Sequence, residues 1–153
     1  MKKISIIMMI IAAFCFTACN DDEPEDPTAN IAGSYNGYVE ASSGYFNGMY
    51  EDDQTVTLTR NADGTFNISY ESESFGTFSI TNATATVSGN TVTLTGTGVT
   101  EMGMNGNTKE YNCTFSGKVN ADKSNPDFTF SVPTVMGGLN IHFLPGTAPE
   151  VEE

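Results

Sequence analysis

The sequence has 153 residues, 39% of them hydrophobic, and its 19 acidic residues outnumber six basic ones to give a net charge of −13. This length is enough for one domain with a modest core. The basic residues beyond the N-terminus are Arg60, Lys109, Lys118 and Lys123, which are widely separated in the sequence. Since phosphate binding requires clustered lysine and arginine, the sequence excludes nucleic acid as a partner.

The first 18 residues have the parts of a secretory signal, with Lys2 and Lys3 before an apolar run over residues 4–16. This run is shorter than the roughly 20 residues that a transmembrane helix needs. Its end resembles the lipobox of bacterial lipoproteins, in which the cysteine becomes the first residue and carries lipid. Phe16 stands where that motif usually has leucine. We therefore expect cleavage of residues 1–18, lipidation of Cys19 and attachment to a membrane through the lipid.

Residues 19–30 contain two prolines and no large apolar side chain, together with five acids: Asp21, Asp22, Glu23, Glu25 and Asp26. Such a segment buries too little surface to fold by itself, which favours a solvated tether. It also resembles the acid-rich export signal behind the lipidated cysteine of Bacteroidetes surface lipoproteins. That resemblance implies an outer-membrane protein exposed at the cell surface, and a simple spacer facing the periplasm is the alternative.

From residue 33 onward, apolar residues alternate with threonine, serine and asparagine, which is typical of strands with one buried face. Turn residues at 61–64 and 88–90 separate these segments, and we expect a bulge at Thr81 and Asn82. About eight strands are predicted within a domain of residues 31–146, followed by an acidic C-terminal tail of residues 147–153. The predicted inward-facing residues are Val56, Leu58, Phe66, Ile68, Tyr70, Phe78, Ile80, Ala83, Ala85, Val87, Val92, Leu94, Tyr111, Cys113, Phe115, Phe128, Phe130, Val132, Leu139, Ile141 and Phe143.

Eight antiparallel strands with one apolar face form either a closed barrel or a two-sheet sandwich. Successive short connections favour up-and-down closure. Closure also removes the sheet edges, which the few lysines of this chain would leave unprotected. The predicted fold is an all-β, antiparallel up-and-down eight-stranded barrel, and a two-sheet β-sandwich is the alternative.

Several motifs follow one another in a recognisable order. After the lipobox and the acidic tether comes a Gly-aromatic-Gly opening strand with Gly33, Tyr35 and Gly37, then a threonine-rich strand ending in an Asn-x-Asp-Gly turn, and finally an aliphatic-aromatic strand. In this order they resemble the calycin-like, or lipocalin-like, lipoproteins of Bacteroidetes over residues 31–145. The resemblance implies a small lipocalin-like barrel on the cell envelope. Lipocalins have Gly-x-Trp in the opening strand, whereas this chain has Tyr35 and no tryptophan.

No arrangement of residues predicts catalysis, and we expect a protein that is not an enzyme. Once the signal is removed and Cys19 is lipidated, Cys113 is the remaining cysteine, and its alternating surroundings predict a small buried hydrophobe. His142 is expected to lie on the face of its strand opposite to the apolar partners of Cys113. The acids at 51–53 and at Glu71 and Glu73 lack the spacing of an EF-hand calcium loop and are interpreted as solvated loop residues. The sequence therefore predicts no metal and no cofactor.

Two segments that are predicted to be irregular carry candidate contact residues. Tyr45, Phe46 and Tyr50 lie within residues 44–50, and Met102 and Met104 lie within residues 99–107. Exposed aromatic residues are typical of recognition surfaces, and methionine provides an adaptable apolar surface. A loosely structured hairpin with both methionines packed on the barrel rim is the alternative for the second segment.

These observations predict a non-enzymatic binding module on the outer membrane or cell surface. It binds a small apolar ligand inside the barrel or a surface partner through the rim loops. The alternative is a protein-binding or inhibitor-type envelope lipoprotein whose core is filled and which acts through the five contact residues. An eight-stranded barrel has room for its own side chains or for one small ligand, and the sequence leaves both possibilities open.

Overall fold

Eight antiparallel strands close into a barrel in which every strand pairs with its sequence neighbours and β8 pairs with β1. The computed structural model describes residues 26–151. The up-and-down barrel is confirmed, and the sandwich alternative is wrong because both edges of the sheet are joined. The strands are β1 (Gly33–Ser42), β2 (Met49–Arg60), β3 (Phe66–Ser72), β4 (Gly76–Ser88), β5 (Thr91–Met104), β6 (Asn107–Asn120), β7 (Asp127–Val132) and β8 (Leu139–Pro145).

Alternation between apolar and polar residues positions the strands as predicted. In β3, Phe66, Ile68 and Tyr70 are buried while the residues between them face solvent. The predicted bulge is confirmed, since the pairing of β4 with both neighbours shifts register around Thr81 and Asn82. No helix among residues 26–151 is long and apolar enough to cross a membrane.

A continuous stack of aromatic rings fills the interior of the barrel. Phe128 contacts the rings of Tyr35, Phe115 and Phe143, with centroids 5.3–5.8 Å apart. Phe130 extends the stack to Phe115, Tyr70 and Phe78 at 5.0–5.5 Å. Aromatic pairs at such distances stabilise a core beyond the area that they bury.

Two interior glycines show how tightly these rings are packed. A Cβ atom on Gly117 would lie 2.6 Å from Cδ1 of Phe128 and 2.9 Å from Cζ of Phe115. A Cβ atom on Gly96 would lie 2.7 Å from Cγ2 of Ile80. Because there is no room for one methyl group at either position, the structure favours a core filled by the protein's own side chains.

The two ends of the barrel are built differently, and we name them by their connections. The lower end consists of the N-terminal residues 26–32 and the connections at 61–65, 89–90 and 121–126. The upper end consists of the connections at 43–48, 73–75, 105–106 and 133–138. Strands in an up-and-down barrel alternate in direction, so every second connection lies at the same end.

Three aspartates at the lower end accept local hydrogen bonds from the chain that follows them. Asp26, Asp63 and Asp122 each accept hydrogen bonds from the main-chain N–H and the hydroxyl of the residue two positions later. Those bonds from Thr28, Thr65 and Ser124 lower the pKa of the three carboxyls. Asp26 also forms an ion pair with Arg60, with Oδ2 2.6 Å from Nη2. The last residues of the predicted tether therefore contact the barrel.

Tyr35 closes the lower end from inside. Its hydroxyl donates a hydrogen bond to the carbonyl oxygen of Ile31 at 2.5 Å, and both residues are buried. Burial raises the pKa of Tyr35 to about 12. The polar tip of an otherwise apolar ring is thus satisfied by the chain segment that enters the barrel.

Several sequence predictions about local structure are wrong. Residues 99–107 are not irregular, because β5 and β6 pair without interruption up to Met104 and Asn107 around a two-residue turn. Residues 51–53 lie in β2 and Glu71 lies in β3, rather than in loops. Val87 is 46% exposed instead of buried, because the end of β4 extends beyond the core.

Candidate binding site at the upper end

Neighbouring strands separate at the upper end of the barrel. β3 pairs with β2 only from Val56 to Arg60, and β7 pairs with β6 only from Thr114 to Lys118. The β5–β6 hairpin extends further, beyond the last β4 partner of β5, which is opposite Glu101. The upper end therefore has gaps between strands, whereas the interior below it is filled.

A recess of about 410 Å³ occupies one of these gaps, between the β3–β4 turn, the β5–β6 hairpin and the β7–β8 loop. This volume is within the range of small-ligand and side-chain pockets. Most of its large lining side chains are apolar: Phe75, Met102, Met104, Tyr111, Val135, Met136 and Leu139. Glu73 and Glu101 lie at the same recess. The combination of an apolar lining and acidic side chains is suited to an amphipathic group.

The structure places all five predicted contact residues at the upper end but only two of them in the recess. Met102 is half-buried against the core, and Met104 is 82% exposed at the tip of the hairpin. The two-residue turn after Met104 has positive φ at Asn105 and Gly106, which is the backbone that Asn-Gly hairpins prefer. Both methionines are thus carried by a regular hairpin. Their part in binding remains a prediction.

The other three predicted residues do not line the recess and belong to the β1–β2 loop and the start of β2. Tyr45 is 80% exposed on the β1–β2 loop, and Phe46 on the same loop is half-buried against the core. Gly44 donates a hydrogen bond to the carbonyl oxygen of Met136 at 3.0 Å, which ties this loop to a wall of the recess. Tyr50 belongs to β2 and packs against the ring of Tyr38.

Sequence reasoning missed most of the recess. Phe75, Val135 and Met136 come from two short connections that are far apart in the sequence. Tyr111 was predicted to face inward, yet it is only partly buried, because β7 ends below this level of β6. The signal for Val135 and Met136 was an apolar pair between a proline and two glycines, which is unusual for a solvated turn.

Exposed apolar side chains concentrate at the same end. Among the described residues, six large apolar side chains are exposed: Tyr45, Met49, Val87, Met104, Met136 and Val151. Four of them, all except Val87 and Val151, lie on or next to upper-end connections. Clustered exposed apolar surface marks an interaction site more reliably than scattered residues do.

The two acidic clusters meet in a second recess, of about 570 Å³, where β2 and β3 separate. Glu51 accepts a hydrogen bond from Ser72 at 2.9 Å, and Gln54 accepts one from the Tyr70 hydroxyl at 2.8 Å, so polar contacts bridge the gap. Within residues 26–151, no group of three histidine, cysteine or acidic side chains is placed to hold a metal ion.

Cys113 and His142 lie on different faces of the barrel wall. Cys113 is buried in the core, and burial raises the pKa of its thiol to about 11. His142 faces outward, with Nε2 2.8 Å from Oδ1 of Asp127. The two side chains therefore do not form a nucleophile and base pair, and the predicted burial of Cys113 is confirmed.

Comparison with known proteins agrees with the barrel geometry. A crystal structure of a candidate outer membrane protein from Bacteroides fragilis NCTC 9343 is similar, with a TM-score of 0.65 and 31% sequence identity. The similarity covers 80% of this chain and 46% of that longer chain. No curated protein matches the sequence. The family model of the calycin-like β-barrel domain matches residues 31–144, and the chain therefore belongs to the calycin-like β-barrel domain family.

Proposed function

We propose that this protein is a non-enzymatic binding module on the outer membrane or cell surface, anchored through lipid on Cys19. It binds its partner at the upper end of the barrel. The observation that carries the proposal is the contrast between a filled interior and an apolar recess at the rim. A ligand inside the barrel would have to displace stacked rings, whereas the recess is accessible without rearrangement. Two of the five predicted contact residues, Met102 and Met104, line it, and the other three belong to the same end of the barrel.

Anchoring at the envelope rests on the sequence and on the similar protein. Cys19 and the signal lie outside the described residues, and the Bacteroides fragilis protein is a candidate outer membrane protein. Labelling cells with a palmitate analogue should mark the wild-type chain and leave Cys19→Ala unmarked. An unlabelled wild-type chain that stays in the membrane fraction would refute lipid anchoring.

Surface exposure is a separate part of the proposal. Asp21, Asp22 and Glu23 follow the predicted lipidation site. Replacing all three by their amides should protect the protein from protease added to intact cells. Unchanged proteolysis would mean that these acids are only a spacer.

The binding role is tested by photo-crosslinking on intact cells. A photoreactive amino acid at Met104 should capture a partner protein, while the same amino acid at Val87 should not. Val87 is a matched control, since it is exposed and lies next to a lower-end connection. Equal capture at both positions, or none at either, would contradict binding of a partner protein at the upper end.

A small apolar molecule in the recess is a second candidate, because 410 Å³ is enough for one. Native mass spectrometry of residues 20–153, purified without detergent from the native host, would detect it as a reproducible added mass. Loss of that mass in Met102→Ser, with retention in Val87→Ser, would assign the small molecule to the recess.

A further inference from the structure

Charge is distributed unequally between the two halves of the barrel. The upper half carries eight acidic residues and one basic residue, Lys109; the acids are Glu40, Glu51, Asp52, Asp53, Glu71, Glu73, Glu101 and Glu110. The lower half carries Asp26, Asp63, Asp122 and Asp127 together with Arg60, Lys118 and Lys123. The upper half is therefore strongly negative, and the lower half is nearly neutral.

Among residues 26–151, the upper acids form no salt bridge with a basic residue. The salt bridges among residues 26–151 join Arg60 to Asp26 and His142 to Asp127, and neither includes an upper acid. Glu101 and Glu110 are directly opposite each other on β5 and β6, and both are exposed. Like charges in such a cross-strand pair are destabilising. A basic side chain from a partner would relieve this repulsion.

The recess also borders a free sheet edge. Above Cys113, β6 pairs with β5 on one side, and β7 gives it no partner on the other. Thr108 and Tyr111 belong to this part of β6 and line the recess. An exposed edge of this kind accepts an extended peptide as an additional strand, with main-chain hydrogen bonds giving affinity and pockets giving specificity.

From these three features we infer that the upper end binds an extended, basic and amphipathic polypeptide segment. The segment pairs with the free edge of β6, inserts an apolar side chain beside Met102 and Tyr111, and places basic side chains near Glu73, Glu101 and Glu110. The inference rests on the proposed function and deepens it, since it states the chemistry of the partner. Charge complementarity selects a basic segment over a neutral or acidic one.

The test uses a labelled short peptide in which lysine and threonine alternate around a central leucine. We expect it to bind the wild-type protein, with affinity that falls as salt rises. The combined variant Glu73→Gln and Glu101→Gln should bind it about tenfold more weakly, as expected for the loss of two rim charges. A matched control, Asp63→Asn with Asp122→Asn, removes the same charge at the lower end and should bind like the wild type.

Two altered peptides separate the parts of the inference. Replacing lysine by glutamate should abolish binding, and N-methylating the central peptide bonds should also abolish it, because methylated amides cannot donate to the edge of β6. Equal binding of the lysine and glutamate peptides, or of the wild type and the glutamine variant, would overturn the inference.

Two further outcomes also overturn it. A dimer in sedimentation that Met104→Ser dissociates would mean that a second copy occupies the recess. A small molecule that co-purifies and is lost in Met102→Ser would assign the recess to that molecule. Capture of a partner at Met104 in the crosslinking experiment, combined with failure of the peptide test, would retain the proposed function and reject only the basic-segment inference.

Discussion

The interior of the barrel and its upper end follow opposite rules of construction. In the interior, the rings of Phe115 and Phe128 pack so closely that Gly117 has no space for a methyl group. At the upper end, strands separate, Met104 and Tyr45 face solvent, and acids lack basic partners among the described residues. The difference indicates that the interior provides the stability of the fold, while the upper end is free to specialise in recognition.

The largest expected effect is the loss of a ring from the stack. Phe130→Ala should lower the free energy of unfolding by about 3–5 kcal/mol, because it removes buried apolar area and leaves a cavity. Urea denaturation measures this change. Phe46→Ala at the upper end is the matched substitution and should cost clearly less, since Phe46 is only half-buried. Equal decreases in the free energy of unfolding for the two variants would show that the interior and the upper end contribute alike to stability.

Adding a methyl group to the interior tests how tightly the rings are packed. Gly117→Ala should cost about 1–3 kcal/mol, because the new methyl group overlaps the rings of Phe115 and Phe128. In a double-mutant cycle, Phe128→Leu should reduce the cost of Gly117→Ala, since it removes one of the overlapping rings. Additive losses would show that the two positions do not compete for space.

Thr100 lies at the boundary between the two regions. Its side chain shares a face with those of Phe78 and Tyr111, and its hydroxyl is buried without a hydrogen-bond partner. Thr100→Val keeps the shape and removes the unsatisfied group, so it should raise the free energy of unfolding by about 1 kcal/mol. A destabilised variant would show that the hydroxyl is satisfied in solution.

Tyr35 adds a pH dependence at the lower end. Its pKa rises from 10.0 to about 12 on folding because of burial, so the folded state retains a proton that the unfolded state loses. The resulting stabilisation is complete below pH 10 and is lost as the pH rises towards about 12.

Tyr35→Phe should weaken this alkaline loss and cost about 0.5–1.5 kcal/mol at neutral pH through the missing hydrogen bond to Ile31. Burial also raises the pKa of Tyr70, so part of the alkaline loss should persist. Urea denaturation at several pH values measures both effects. If the variant lost as much stability at alkaline pH as the wild type, the loss could not be attributed to Tyr35.

The smallest expected effect on stability is at the rim. Tyr45→Ser and Met104→Ser should change the free energy of unfolding by about 0.5 kcal/mol or less, because both side chains are largely exposed. The same variants should reduce partner capture on intact cells. A large loss of stability would mean that these side chains pack against the barrel, and unchanged capture would reject their role in binding.

Strand positions could be predicted because alternation repeats reliably wherever one face is buried. The predicted segments around Phe66, Phe128 and Ile141 lie in strands with those side chains inward, and the bulge at Asn82 follows from a break in the alternation. Tertiary pairing, in contrast, extends β5 and β6 through a glycine-rich segment with little alternation. The Asn105-Gly106 pair was the available signal for that hairpin.

The candidate site was predicted only in part, for a physical reason. Met102 and Met104 could be identified as exposed apolar residues near a turn, but Phe75 and Met136 join them only through closure of the barrel. Which connections meet at one end depends on strand count and register, which a local pattern does not contain. The acids at 51–53 were predicted to lie in a loop because the strand that contains them has no apolar alternation.

The ion pair between Asp26 and Arg60 has a consequence for orientation. Seven residue steps separate Cys19 from Asp26, and an extended chain of that length spans at most about 25 Å. With Cys19 lipidated as proposed, this contact holds Asp26 of the tether on the barrel. The lower end of the barrel therefore stays close to the bilayer. The acidic rim then points away from the anionic membrane surface, towards the aqueous side from which a soluble partner would approach.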